Sequence, residues 1–235
     1  MDINADIGEG YDDAGLMPYL TRISIACGGH TGDARSMDAA LTLAAEYGVA
    51  VGAHPSYPDR AGFGRRAWVA TPEQIAQWVT QQIEVLAEIA ASKGMRLAHV
   101  KPHGALYNAA AQDEVIAAAI AQAVVEWDAS LILLGLSCSR LIEAGRAAGL
   151  TVMLEVFADR RYQADGQLVS RETPGALITD PEIAAEQAYA LAHGQPIVAL
   201  DGSPLRLAAD TLCLHSDTPG AIEIARAVAQ ALNRG

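Results

Sequence analysis

The 235-residue sequence predicts a single α/β domain, a (β/α) barrel-like fold of about seven parallel strands spanning 1–235. Three observations carry that expectation. Short β-like runs alternate with longer helical patterns, as crossover βα units require. Most strand candidates are apolar on one face and polar on the other, whereas strands of an open doubly wound sheet are apolar on both. The length fits a barrel that is not divided into domains. An antiparallel sheet with one wet face is the competing reading. The long helices between strands disfavour it, because antiparallel strands need only tight turns.

Taken in order, the strand candidates are Ile3–Ile7, Ile23–Ala26, Val49–Ala53, Leu97–Lys101, Leu131–Leu134, Val152–Val156 and Thr211–Leu214. The helix candidates are Ala34–Tyr47, Pro72–Lys93, Asp113–Trp127, Ser139–Ala148, Pro181–His193 and Pro219–Asn233. Thr71-Pro72, Asp180-Pro181 and Thr218-Pro219 each place a capping side chain before proline at a first helical position. Gly48, Gly94, Gly149 and Gly194 stand where helices should stop. Asp165-Gly166 and Asp201-Gly202 are hairpin signals, so small β insertions are expected near 161–178 and 195–207.

Strand parity then sorts the side chains, since neighbours on a strand point to opposite faces. Asp2, Asn4 and Asp6 share one face; His99, Lys101 and His103 share another. Met153, Glu155, Phe157 and Asp159 form a third such row, and Thr211, Cys213, His215 and Asp217 a fourth. These rows become polar toward the C-terminal strand ends, the rim on which barrel enzymes carry their sites.

Composition removes several function classes. The chain has 16 Lys and Arg against 28 Asp and Glu, a net charge of −12, which disfavours nucleic-acid binding. Hydrophobic residues make up 51%, enough for a large core. Cys27, Cys138 and Cys213 are too few and scattered for a disulfide framework or a structural zinc cage. The start MDINADIGEG has neither a basic nor an apolar leader region, and no run approaches a membrane span. A cytoplasmic protein with no membrane or nucleic-acid partner is expected.

Seven segments carry a resemblance: Asn4–Gly10, Ala26–Asp33, Gly52–Pro58, Gly62–Arg66, His99–Asn108, Glu155–Tyr162 and His215–Pro219. In this order they strongly resemble the LamB/YcsF family over nearly the whole chain, and the HVKPHGALYN block is the most specific of them. The resemblance implies a barrel related to the glycoside hydrolase/deacetylase barrels. It also implies the A-type subunit of a bacterial 5-oxoprolinase, which opens 5-oxoproline to glutamate with ATP hydrolysis beside two partner subunits of B and C type. Two positions depart from the family pattern: Gly29 stands where phenylalanine is usual, and Ser216 where glycine is usual.

Opening a stable lactam needs an activated leaving arrangement, a deprotonated water and a protonated ring nitrogen, hence positioned acids and bases. Asp6, His30, His54, Lys101, His103, Glu155 and His215 are the catalytic candidates. Asn4, Glu9, Arg65, Arg66, Asn108, Asp159, Arg160 and Asp217 are the substrate-binding candidates. Several have a structural rival. Asp6 and Glu9 could brace a glycine-rich turn, and His54 could be a satisfied core histidine. Lys101 could merely pair with Asp6 or Glu155, since a buried ammonium needs a partner. Arg65 and Arg66 suit carboxylates or phosphates but also surface ion pairs. Asp159 and Arg160 could pair with each other, and Asp217 could serve the cap of the last helix. Asp33 reads as a helix cap, His99 as a hydrogen-bonded core residue and Cys27 as a helix-facing core cysteine. ATP is expected as co-substrate; with no Walker-type G-x-x-x-x-G-K-[ST] sequence, its site is expected to be shared with partner subunits. A divalent metal is an open alternative for the histidine–carboxylate set. Two other readings stand beside the first: a stand-alone metal-dependent amidohydrolase or deacetylase, and a non-catalytic ligand-binding subunit.

Overall fold

The computed structural model describes residues 1–233. Seven parallel strands close into a barrel: β1 (Asp2–Ile7), β2 (Arg22–Ala26), β3 (Ala50–His54), β4 (His99–Val100), β5 (Ile132–Leu136), β6 (Val152–Phe157) and, after a minor antiparallel pair, β9 (Thr211–Leu214). β9 pairs with both β6 and β1 and so closes the ring. The minor pair, β7 (Ile197–Val198) and β8 (Pro204–Leu205), turns at Asp201-Gly202. Near Asp165-Gly166 the chain folds back through isolated bridges, Tyr162 to Leu168 and Arg160 to Leu177.

Helices pack around the barrel: α1 (Asp13–Leu16), α2 (Ala34–Tyr47), α3 (Pro72–Ser92), α4 (Gly104–Gln112), α5 (Glu114–Asp128), α6 (Arg140–Ala147), α7 (Pro181–Ala192) and α8 (Ala221–Leu232). Local chemistry sets their ends. Asp33 caps α2 in a reciprocal box with Ser36, Thr71 caps α3 with Gln74, and Asp180 accepts two backbone N–H groups of α7. None of these helices is long and apolar enough to cross a membrane. The apolar core lies between the helices and the outward strand faces, where Ile3, Ile7, Ile23, Ile25, Val51, Val100, Val156 and Leu212 are buried.

Four sequence expectations shift. The α4 helix was not foreseen, because it opens on Gly104 at φ +56 after His103, which gives no side-chain cap bond. The short α1 was missed too: it is a single turn, capped by Asp12. Thr218 does not cap the last helix; α8 starts at Ala221 after a left-handed Gly220, and the Thr218 hydroxyl is engaged elsewhere. Regular β4 is two residues long rather than Leu97–Lys101. Pro102 lacks an N–H, yet Ala98, Lys101 and His103 still donate backbone bonds to the Val51–Pro55 segment.

The barrel interior carries polar side chains from bottom to top, with Ile132, Leu134 and Leu136 of β5 giving it one apolar side. Asp2 and Arg22 pair at the base, with Asn4, Ser24, His99 and Thr211 buried above them. His99 is held by Ser24 Oγ at 3.1 Å and lies near Arg22 at 3.4 Å. Its ring occupies the space beside Gly52, where a Cβ would come within 2.4 Å of three ring atoms. Gly52→Ala is therefore expected to overpack this layer and lower stability by about 1–3 kcal/mol. Thermal or urea unfolding checks this, and unchanged stability would remove His99 from the packing argument.

Candidate active site

The site rests on Lys101. Its side chain continues the β4 direction into the barrel, where the ammonium is 2.6 Å from Asp6 Oδ1, 3.0 Å from Glu155 Oε1 and 2.8 Å from Asn4 Oδ1. Tyr107 of α4 donates to the other Glu155 oxygen at 2.7 Å. Burial alone would raise the Asp6 carboxyl, but His54 and Lys101 beside it outweigh that and hold it well below the usual carboxylate range. Burial likewise opposes the Lys101 charge, and Asp6 foremost raises its pKa well above the ordinary value.

One wall is built of histidines. Left-handed Gly8 and Gly10 bracket Glu9, and the Asp13 carboxylate accepts from the Gly8 N–H. This turn brings Glu9 Oε1 to 2.8 Å from His30 Nε2 and 3.4 Å from His103 Nδ1. The His30 and His103 rings stack at 3.6 Å, and Phe63 meets both edge-on. Gly64, at φ +66, lets the covering loop lie close, since a Cβ there would be 2.8 Å from His30 Cβ. His54 Nε2 lies 3.3 Å from Asp6 Oδ2.

The opposite wall is an oriented dyad. His215 Nδ1 faces the Asp159 carboxylate at 3.0 and 3.1 Å, and Asp159 also accepts from the Thr218 hydroxyl at 2.6 Å. Burial would raise the Asp159 carboxyl, yet His215 and these bonds hold it at about 2. The carboxylate fixes the Nδ1–H tautomer, which leaves His215 Nε2 as a lone pair on a ring that borders the cavity. The His215 ring stacks on Phe157 at 5.2 Å.

These walls enclose a cavity of about 580 Å³, bordered by Asp6, Glu9, His54, Lys101, His103, Glu155 and His215. Arg65, Asn108, Arg160, Asp217 and Arg171 also border it. Asp217 pairs with Arg65 and, at 2.9 Å, with Arg171. Arg160 donates to the Val169 carbonyl at 2.6 Å, and its buried Nε has no partner among the described residues. Burial, then the neighbouring Arg171, lowers the Arg160 pKa to about 10. The mouth is thus rich in guanidinium groups suited to a carboxylate or phosphoryl ligand.

Four candidates stand off the cavity surface. Asn4 is buried beneath Lys101, His30 lies behind His103, and Asp159 lies behind His215. Arg66 is exposed and packs against Gly62, outside the cavity. Asp159 pairs with His215, and no Asp159–Arg160 ion pair forms. Tyr107 and Arg171 were missed. Tyr107 sat in the HVKPHGALYN block without an assigned partner, while Arg171 lies in an insertion with no strand parity to reveal its direction. Cys27 is a core thiol, pushed up to about 12 by burial. At Gly29 a Cβ would come within 2.3 Å of Gln82 Oε1 and 2.5 Å of Ser56 Oγ, so the Gln82 amide takes the adjoining space. The buried Ser216 Oγ has no partner among the described residues.

Fold and site together define a (β/α)-barrel protein with a cluster of histidines, carboxylates and one lysine at the C-terminal rim. The family model for the LamB/YcsF family matches residues 1–235, and the chain belongs to that family. The chain is similar to the A-type subunit of 5-oxoprolinase from Chloroflexus aggregans, 49% identical over 238 residues, covering 99% of this chain and 94% of the relative. The protein of the same name from Bordetella pertussis is 48% identical, covering 100% and 95%. A solved structure, the lactam utilization protein of Thermus thermophilus, superposes with a TM-score of 0.93 at 44% identity, covering 100% and 96%.

The buried rings give the protein an acid limb. Burial holds His99 and His103 well below the ordinary imidazole range, so the fold favours their neutral forms. That stabilisation is complete above the unfolded value near 6.5 and declines as pH falls below it. The melting temperature is therefore expected to fall from pH 7 to pH 5, and His99→Gln should shallow that slope. Parallel slopes for variant and wild type would refute the assignment to His99.

Proposed function

We propose that this chain is the lactam-opening A-type subunit of an ATP-dependent 5-oxoprolinase acting with B- and C-type partner subunits. The observation that carries the reading is the oriented Asp159–His215 dyad, in one cavity with the Asp6–Lys101–Glu155 cluster and an arginine-rich mouth. The full-length similarity to proteins named as the A-type subunit of 5-oxoprolinase supports the substrate assignment.

The chemistry follows from the parts. ATP phosphorylates the amide oxygen of 5-oxoproline. Water then adds to the ring carbon, the ring C–N bond breaks, and a γ-glutamyl phosphate forms; a second water releases glutamate and phosphate. His215 Nε2 takes the proton of the attacking water, and the imidazolium formed is stabilised by Asp159. The same ring returns the proton to the departing ring nitrogen. Lys101 sets a positive charge against the phosphoryl oxygens carried by the activated amide, and so stabilises the charge there as water adds and the ring C–N bond breaks. Arg65, Arg160 and Arg171 face the substrate carboxylate or the phosphoryl group. Because no Walker sequence is present, phosphorylation is assigned to a site completed by the partner subunits.

Reconstitution tests the reading by measuring glutamate and phosphate released from 5-oxoproline and ATP. The chain alone is expected to show no 5-oxoproline-dependent ATP hydrolysis, and the chain with both partners to release glutamate. Robust coupled hydrolysis by the single chain would overturn the division of labour; no turnover in the full complex would overturn the reading itself.

Lys101→Met separates chemistry from architecture. Leaving two buried carboxylates without their shared cation should cost ~3–5 kcal/mol of stability. Turnover per folded molecule should fall roughly 30- to 1,000-fold, as expected for loss of about 2–4 kcal/mol of transition-state stabilisation. A folded variant with full turnover in the complex would end the case for Lys101 in the reaction.

A further inference from the structure

The histidine wall holds one proton too few. His54 Nδ1 lies 2.7 Å from the Lys101 carbonyl oxygen, and His103 Nε2 lies 2.9 Å from the Phe63 carbonyl oxygen. A carbonyl only accepts, so both contacts require an N–H. The two remaining ring nitrogens, His54 Nε2 and His103 Nδ1, lie 2.9 Å apart. That contact needs an N–H as well. Three contacts call for three ring protons, and two neutral imidazoles carry two. With the carbonyl contacts satisfied, two lone pairs face each other.

Either an added proton or a cation resolves the conflict. An added proton would join only the two rings at this contact, whereas a cation would also engage the Glu9 carboxylate and His30 beside them. The surroundings favour a cation. Glu9, His30, His54 and His103 each offer one ligand atom, and these four atoms all lie within 4.8 Å of one another; Glu9 Oε1 is 2.8 Å from His30 Nε2, 3.9 Å from His54 Nε2 and 3.4 Å from His103 Nδ1. Donors ~2.0–2.2 Å from one ion would lie roughly 3–3.5 Å apart, close to the spacing found here. Asp6, Glu9 and Glu155 also bring three carboxyl groups to this floor against the single ammonium of Lys101.

We propose that Glu9, His30, His54 and His103 bind one first-row divalent transition ion, with zinc the best match. A donor set of three imidazoles and one carboxylate suits zinc and its neighbours; magnesium takes oxygen ligands. The Lys101 and Phe63 carbonyls act as outer partners, fixing the tautomers of two ligand rings. Glu9, His54 and His103 border the cavity, so the ion is open to solvent or substrate on that side. This inference stands on the proton count and the charge of the floor and is independent of the lactam assignment; because the His30 and His103 rings stack nearly parallel, one of them must turn for both nitrogens to reach the ion.

The test uses the untagged full-length chain, stripped with a chelator and then titrated with Zn²⁺ against a chromophoric competitor, with metal content measured by elemental analysis. One Zn²⁺ per chain is expected, with a dissociation constant below about 1 μM, and Mg²⁺ should not compete. Co²⁺ should give the visible absorption of a low-coordinate nitrogen–oxygen site. His103→Ala and Glu9→Gln should each weaken Zn²⁺ binding at least tenfold; His30→Gln with His103→Ala should abolish it. His193→Ala, on an exposed ring, should leave it unchanged. Should chelation unfold the chain, recovery of structure on adding Zn²⁺ supports the site. A folded, stripped chain that takes up less than 0.1 Zn²⁺ per molecule, or a folded double variant that binds as wild type does, overturns the proposal. Competition by Mg²⁺ overturns the class of ion.

Discussion

The Lys101 ammonium is the constraint on which the rest of the site depends. An ammonium inside a barrel is costly unless anions and hydrogen-bond acceptors surround it. Asp6 from β1, Glu155 from β6 and Asn4 from β1 meet that demand. Those residues then need their own partners, and the network spreads: Tyr107 to Glu155 and Thr211 to Asn4. The main chain of Lys101 takes part too, since its carbonyl receives His54 Nδ1. One residue thus anchors both the carboxylate cluster and the orientation of the histidine wall. The apolar packing that holds the barrel upright lies on the other strand faces, so the two layers meet without competing for the same side chains.

Much of this was legible because β-strands alternate. A period of two is enough to place Asp6, Lys101, Glu155 and His215 on inward faces, and the closed parallel sheet turns those faces toward one axis. Capping chemistry located α2, α3 and α7 for a similar reason: Asp33, Thr71 and Asp180 act on N–H groups two or three residues away. What escaped was long-range. No local rule says that Asp159 turns to His215 rather than to Arg160, or that Arg65 turns inward while Arg66 stays outside. Arg171 comes from an irregular insertion, where direction is set by tertiary contacts. The α4 helix was hidden because it begins with a left-handed glycine, a poor helix-starting signal.

The cavity has an internal division of charge. Its floor gathers carboxyl groups, histidines and one ammonium; its mouth gathers arginines around Asp217. A ligand with an anionic group at one end and a reactive amide at the other would be oriented by this division before any specific contact forms. The mouth arginines come from two connections, the loop after β3 and the segment after β6, while the floor belongs mainly to strand ends and the turns beside them. The basic mouth and the acidic floor are therefore built by different parts of the chain.

The closure of the barrel has a kinetic side. β9 fits between β1 and β6, so residues near position 4 and near position 211 must meet before the ring exists. Lys101 touches side chains from β1, β6 and β9, the farthest of them 112 positions away. Pairings this distant form late, because chain entropy must be given up before they contribute. During synthesis the N-terminal strand emerges first and waits for the last strand with its polar face uncovered. The carboxylates that later serve the cavity also keep that waiting edge charged, which protects an incomplete barrel from pairing with its neighbours.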